Sequence, residues 1–292
     1  MSDAVHLGVI GGSGLYGMEG VEGLEWVSVD TPFGPPSDQV GVGRLDGVPV
    51  AFLSRHGRGH RHAPHEINYR ANIWALKSLG VRRLVSVSAV GSMREEIVPG
   101  DLVLVDQFID RTRTRPSTFF EDGVVAHVMF SDPVCADLQG LLVKTAAELG
   151  IPHHDGGTYV CIEGPQFSTR AESLTYRSWD VSVVGMTNLP EARLAREAQM
   201  AYATIALATD YDCWHESEDD VSVEGVLEIV RANVSKAQRL VRAIAPLAAG
   251  LPVSTTWSAL ENAVMSHGEP EEDVLRRVGL LLSDREFHGR AS

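Results

Sequence analysis

The sequence predicts an α/β fold: a single domain with a central mixed β-sheet flanked by helices, and a helical C-terminal extension. Three observations predict it. Short Val- and Ile-rich runs recur along the chain, and several are continuous rather than alternating, as in strands covered on both faces. Stretches with apolar residues at helical spacing lie between those runs. The chain has 292 residues, 44% of them hydrophobic and 22% charged, enough for one large soluble α/β domain.

The first strand is "VHLGVI" (5–10). After it, Gly12, Gly14 and Gly17 stand in G-x-G-x-x-G spacing, with Asp30 downstream. That is the spacing of a dinucleotide-binding turn, which requires a helix directly after the glycines. Here more glycines and then prolines follow with no helical period, which argues against a nicotinamide dehydrogenase. The stretch reads instead as a loop whose backbone N–H groups and Ser13 hydroxyl approach an anion, or as a tight turn. "VPVAFLS" (48–54) is the next strand, and residues 65–79 form a helix carrying Ile67, Ala71, Trp74 and Ala75 on one face. Strands follow at "RLVSVSAV" (83–90), "DLVLVD" (101–106), "TYVCI" (158–162) and "VSVVGM" (181–186). A helix over 190–202 opens on Pro190, which suits a first helical turn. "ATIALATD" (203–210) is the last strand, and 223–247 is a long amphipathic helix. Beyond about Gly250 two short amphipathic helices cap the domain or face another subunit, so the chain divides into 1–250 and an extension, 251–292. The ends, 1–3 and about 286–292, are expected to fray.

A formal net charge of −14 argues against a general nucleic-acid binder, because neutralising phosphates needs a basic field. No run approaches the ~20 apolar residues of a membrane span. The N-terminus lacks the basic and apolar regions of a signal peptide. Cys135, Cys161 and Cys213 are far apart and odd in number, which fits a reducing cytoplasm.

Against that acidic background, "SRHGRGH" (54–60) concentrates donors at the end of a buried strand. Arg55 offers planar donors at fixed spacing, suited to a phosphate, and His56 offers another. Standing alone, the cluster reads more readily as a solvated loop. A second strand end, "SVSAVGSM" (86–93), adds the Ser88 hydroxyl and the Ala89 N–H. Such strand ends are where α/β sheets bind ligands. Together with Ser13 they suggest one phosphate site. A third strand ends in Thr209-Asp210-Tyr211-Asp212, and extended geometry puts both carboxylates on one face. Two neighbouring half-buried carboxyls favour sharing a proton, and such a pair can donate one hydrogen bond and accept another. One edge of adenine demands that combination: N7 accepts and the 6-amino group donates. A helix cap, or a metal site drawing on His215 and Glu216, stays open at this point.

At these residues the chain resembles the methylthioadenosine phosphorylases of the trimeric purine nucleoside phosphorylase superfamily. The matching stretches include "GVIGGSGL", "DTPFGPPSD", "SRHGRGH", "NYRANIWALKSLG", "IEGPQFSTRAES", "GMTNLPEARLAREAQMAYATIALATDYDCW" and "VSVEGVL", in family order over roughly residues 5–245. The resemblance implies phosphorolysis of 5′-methylthioadenosine to adenine and 5-methylthioribose 1-phosphate, with phosphate as co-substrate and no metal or organic cofactor. It implies phosphate contacts at Ser13, Arg55, His56, Ser88, Ala89 and Thr187, with the sugar at Met186. The base is expected near Phe167 and Ser168, with Asp210 as general acid and Asp212 ordering it. Val223, Val226 and Leu227 would hold the methylthio group, and His127 would reach a neighbouring subunit of a trimer. Gln166 stands where the family commonly has arginine. Other purine nucleosides, and a non-catalytic nucleoside-binding role, are the competing expectations.

Overall fold

The Val- and Ile-rich runs singled out above become strands, and so do further stretches of mixed composition. The computed structural model describes residues 5–12, 14–215, 223–266 and 270–282. Strand β1 (Leu7–Gly11) is buried along its length. It leads through a 3-10 turn, Leu15–Gly17, to β2 (Val21–Val27), β3 (Val40–Leu45) and β4 (Val48–Ser54). Among the described residues, only that 3-10 turn stands between the glycines and β2. Helix α1 (Tyr69–Ser78) starts at Asn68, whose side chain accepts from the Ala71 N–H, so it is shorter at its start than the apolar spacing predicted. Next come β5 (Arg83–Ser92), β6 (Leu102–Leu104) and β7 (Gln107–Arg111). Helix α2 (Ala136–Glu148), β8 (His153–Asp155) and β9 (Thr158–Ile162) follow. Helix α3 (Arg170–Ser178) begins in a capping box of Thr169 and Glu172, a signal present in the sequence that the apolar periodicity alone did not expose. Then come β10 (Val183–Gly185), α4 (Asn188–Glu197), β11 (Ala201–Tyr211) and α5 (Val223–Ala248). Leu189 within α4 is extended (φ −120°, ψ 137°), so the continuous helix starts at Pro190 as the sequence predicts, but it ends sooner, at Glu197, because β11 begins at Ala201.

One mixed sheet holds all these strands, in the order β2-β3-β4-β1-β5-β10-β9-β7, with β11, β6 and β8 branching from β5. The branch positions the site. β11 runs parallel along one edge of β5 from Arg83 to Ser92. The other edge is shared: β1 pairs in parallel with Arg83 to Ser86, and β10 pairs antiparallel with Gly91 and Ser92. Between them, Val87 to Val90 have no strand partner on that edge. The sheet forks there, the kind of topological switch at which such sheets open a crevice.

Helices cover both faces. Ile73 and Leu76 of α1 and Ala192 and Ala195 of α4 share one buried cluster. Leu138 and Leu142 of α2 share the other with Leu240, Val241 and Ile244 of α5. The C-terminal segment belongs to the first cluster. Leu260 and Val274, Val278 and Leu281 of α6 (Glu272–Leu282) are buried in it. The segment after Gly250 thus caps the domain and completes its core. Val278→Ala removes two buried methyl-sized groups and is expected to cost about 2 kcal/mol, read by urea denaturation. No cost would mean that α6 docks loosely. No described helix is long and apolar enough to cross a membrane.

Candidate active site

A cavity of about 580 Å³ opens in the fork of β5. The ends of β4, β5, β10 and β11, the loop between β9 and α3, and Val230 and Val234 of α5 line it. It therefore gathers, from positions distant in sequence, most of the residues singled out above: Arg55, His56, Ser88, Ala89, Phe167, Ser168, Met186, Thr187, Asp210 and Asp212.

At one end, Arg55 is only 1% exposed, and its fork is already engaged. Nε donates to Glu191 Oε2 at 2.6 Å and Nη2 to Glu191 Oε1 at 3.0 Å. Nη2 also donates to Ser86 Oγ at 2.6 Å, and Nη1 to the Val87 carbonyl at 3.0 Å. Burial works against the guanidinium charge, and Glu191 more than offsets it, so Arg55 stays protonated. A buried guanidinium needs its counter-charge inside the protein, and among the described residues one Nη1 hydrogen is left without an acceptor. His56 is likewise held from within the chain. Its Nδ1 lies 2.8 Å from the His62 carbonyl, which can only accept, so Nδ1 carries the hydrogen. Burial, with Arg55 nearby, lowers the imidazole to about 4, so the ring is neutral near pH 7 and Nε2 is an acceptor, not a donor. Ser88 Oγ donates to Asn188 Oδ1 at 3.1 Å, and Asn188 Nδ2 donates to Thr204 Oγ1 at 2.7 Å. Ala89 is open to the cavity, on the unpartnered edge of β5. Ser13 lies outside the described residues.

At the other end a bulge interrupts the pairing of β11 with β5, so that Ala208 faces Val90 and Asp210 faces Gly91. Bulges re-aim side chains in this way. Thr209 Oγ1 donates to Asp210 Oδ2 at 2.6 Å. Asp212 lies one residue past the strand, held by its N–H on the Ser92 carbonyl at 3.2 Å. Gly91 sits beneath both carboxylates. A Cβ there would stand 3.2 Å from Asp210 Oδ1 and 3.4 Å from Asp212 Cβ. Gly91→Ala is therefore expected to lower kcat about tenfold by displacing Asp210, while thermal stability changes little. Unchanged turnover would show that the carboxylates tolerate the shift. His215 lies 3.4 Å from Glu95 and stacks on Tyr211, and Glu216 lies outside the described residues. Phe167 is 84% exposed on the loop opposite, next to Ser168, whose carbonyl accepts from the Cys213 thiol at 3.4 Å.

Three polar atoms in this wall are buried and lack a protein partner among the described residues: Thr187 Oγ1, Ser168 Oγ and Asp212 Oδ2. An orphaned buried polar atom is costly, so three around one cavity mark places a polar ligand would fill. The side chains of Val223, Val226 and Leu227 lie outside the described residues. Val230 and Val234, further along α5, do line the cavity, although helical spacing alone reads them as core. His127 is exposed and outside the cavity of its own chain, its N–H on the Ala263 carbonyl at 2.8 Å. Gln166 is exposed at the rim. Glu191 and Asn188 escaped the sequence reading: nothing in "NLPEARLA" reveals that they are fully buried or which strand ends they hold.

Comparison with known proteins places this geometry. Residues 6–246 match the family model described as the phosphorylase superfamily. The chain is 63% identical over 237 residues, 81% of its length and 83% of the relative's, to an S-methyl-5′-thioadenosine phosphorylase of Geobacter sulfurreducens. A methylthioadenosine phosphorylase structure from an Antarctic soil metagenomic library superposes with a TM-score of 0.92 at 48% identity, covering 96% of this chain and all (100%) of that one. A Schistosoma mansoni methylthioadenosine phosphorylase in complex with tubercidin superposes with a TM-score of 0.79 at 33% identity, covering 97% and 99%.

Proposed function

Because the chain belongs to the phosphorylase superfamily, we propose that it cleaves 5′-methylthioadenosine with inorganic phosphate, giving adenine and 5-methylthioribose 1-phosphate. The observation that carries the reading is the set of orphaned oxygens, with Thr187 Oγ1 at the donor-rich end of the cavity and Ser168 Oγ and Asp212 Oδ2 at the carboxylate end. Phosphate is the co-substrate, and the reaction calls for no metal or organic cofactor.

In this reading the phosphate lies against the open edge of β5. Thr187 Oγ1, the Ala89 N–H and the remaining Arg55 hydrogen donate to it, and Ser88 Oγ, whose own hydrogen is on Asn188 Oδ1, borders it; the resemblance adds Ser13, which lies outside the described residues. His56 Nε2 accepts the P–O–H hydrogen of the protonated anion. Met186 lies under the sugar, and Val230 and Val234 give the cavity an apolar side for the methylthio group, to which we assign Val223, Val226 and Leu227 from the resemblance, their side chains lying outside the described residues. Adenine leaves poorly as an anion. Asp210 Oδ1 supplies a proton to N7 as the C1′–N9 bond breaks, while Thr209 fixes Oδ2. Asp212 accepts from the 6-amino group, Ser168 adds a polar contact, and Phe167 stacks on the base. The sugar gains oxocarbenium character, and the adjacent phosphate stabilises it and forms the new C1′–O bond. Holding both reactants in one closed site supplies much of the acceleration. His127, exposed beyond its own cavity, would complete the site of a neighbouring subunit in a trimer, and the setting is cytoplasmic.

Adenosine is the second substrate to consider, because a Schistosoma mansoni relative is described as an adenosine/methylthioadenosine phosphorylase. The test is adenine release from 5′-methylthioadenosine with and without phosphate, beside adenosine and inosine. Phosphate-dependent release that is greatest for the methylthio substrate supports the proposal, greater release from adenosine favours the second reading, and cleavage of inosine alone overturns the assignment of the aspartates.

A further inference from the structure

Arg115 lies behind the cavity and is not part of its lining. Its side chain is 1% exposed. Nη1 stands 2.7 Å from the Met186 carbonyl and 2.8 Å from that of Leu189. Nη2 stands 2.6 Å from the Glu163 carbonyl and 3.3 Å from that of Ile162. Nη1 also lies 3.0 Å from Tyr69 Oη, which itself donates to the Pro64 carbonyl. One guanidinium thus bridges two chain segments that no strand pairing joins at this point. The first leaves β9 and becomes the loop of Phe167 and Ser168. The second leaves β10 and carries Met186 and Thr187. These are the base-side and sugar-side walls of the cavity.

The clasp closes from the other side as well. The Glu163 carboxylate accepts from the Arg113 N–H at 2.5 Å and from Thr114 Oγ1 at 2.8 Å, and its Oε1 is 3.6 Å from Arg115 Nε. The segment carrying Arg115 is thereby pinned to the same loop whose carbonyls Arg115 holds. The Met186 carbonyl and the Thr187 N–H belong to one peptide group. Arg115 holds the first, and Tyr159 Oη accepts from the second at 3.4 Å. That plane sets where Thr187 and Met186 face the cavity.

We propose that Arg115 is a positioning residue that fixes the gap between the base-side and sugar-side walls, and so governs nucleoside capture more than phosphate binding. The inference rests on the functional reading above. The asymmetry follows from how much of each end hangs on Arg115: of the phosphate contacts it holds the Thr187 peptide alone, while Arg55, His56, Ser88 and Ala89 reach that end from β4 and β5, whereas the sugar-side Met186 and the loop of Phe167 and Ser168 both depend on it. Lysine cannot replace the clasp, because its single ammonium cannot serve two pairs of carbonyls held apart by a planar fork.

The test compares Arg115→Lys and Glu163→Gln with the unsubstituted protein. A glutamine can keep the Arg113 N–H on its oxygen and donate to Thr114 Oγ1, so Glu163→Gln chiefly removes the negative charge 3.6 Å from Arg115 Nε and loosens the clasp from its partly exposed side. Arg115→Lys is expected to raise KM for 5′-methylthioadenosine about tenfold or more, while KM for phosphate moves by less than about threefold. Glu163→Gln is expected to shift the same ratio in the same direction by a smaller factor, and it decides the matter if Arg115→Lys does not fold. Calorimetric dissociation constants for the nucleoside and for phosphate, taken separately, give the ratio without turnover. Equal changes in both constants, or none in either, overturn the proposal. If the unsubstituted protein binds nucleoside but does not cleave it, the proposed reaction fails, and the ratio of dissociation constants still decides the role of Arg115.

Discussion

Asp210→Asn is expected to lower kcat/KM for 5′-methylthioadenosine by about 10²–10⁴-fold, the range that a positioned general acid contributes. The fold should survive it. The amide oxygen can still accept from Thr209 Oγ1, which now lies 2.6 Å from Oδ2, and the side chain keeps its volume above Gly91. What is lost is a proton that can move to N7, since an amide N–H only donates a hydrogen bond. The amide also offers a donor where a 6-oxopurine presents an acceptor, so the remaining activity should shift towards inosine. Steady-state kinetics on both substrates, with a melting curve as control, checks this. Full activity on the adenine nucleoside in a normally folded variant would remove Asp210 from the acid role.

Arg55→Ala is expected to cost about 3–5 kcal/mol of stability, because it leaves Glu191 buried without its partner. Glu191 is fully buried, and apart from Arg55 its carboxylate accepts from Tyr202 Oη at 3.0 Å. One hydroxyl does not balance a buried negative charge. The double variant Arg55→Met with Glu191→Leu removes both charges and should regain most of the loss. Urea denaturation of the single and double variants measures the difference. If the single variant were as stable as the double, the pair would not be a coupled buried unit. The double variant should still bind phosphate poorly, since Val87 and Ser86 lose the group that spans β5 and α4. This separates the two contributions of Arg55: a large one to the core and a smaller, direct one to the ligand.

These two residues show how far the sequence could be read. The paired aspartates were legible because strand alternation is local: residues two apart in an extended chain share a face, and the run before them is apolar enough to be a strand. The structure adds a bulge at Thr209 and ends the strand at Tyr211, yet both carboxylates still line the cavity. Arg55 was legible as a cation at a strand end, but not as one half of an ion pair. Its partner lies 136 residues further along, and no periodicity connects the two. His56 was recognised by residue type, but its role depends on the His62 carbonyl beside it. Arg115 lay in "TRTRPS", where nothing distinguishes a buried clasp from a solvated loop.

The sequence by itself determined the fold class, most of the central strands, the long helix α5, and the family to which the chain belongs. Each follows from local periodicity, from turn chemistry, or from motifs whose order survives in a linear string. Only the tertiary structure decided where β1 leaves β5 and β10 joins it, that α6 completes the core, and which donors are free to meet a ligand. These depend on contacts between segments far apart in the chain. There, packing and the need to neutralise or hydrogen-bond every buried polar group choose the partners, and local propensity does not.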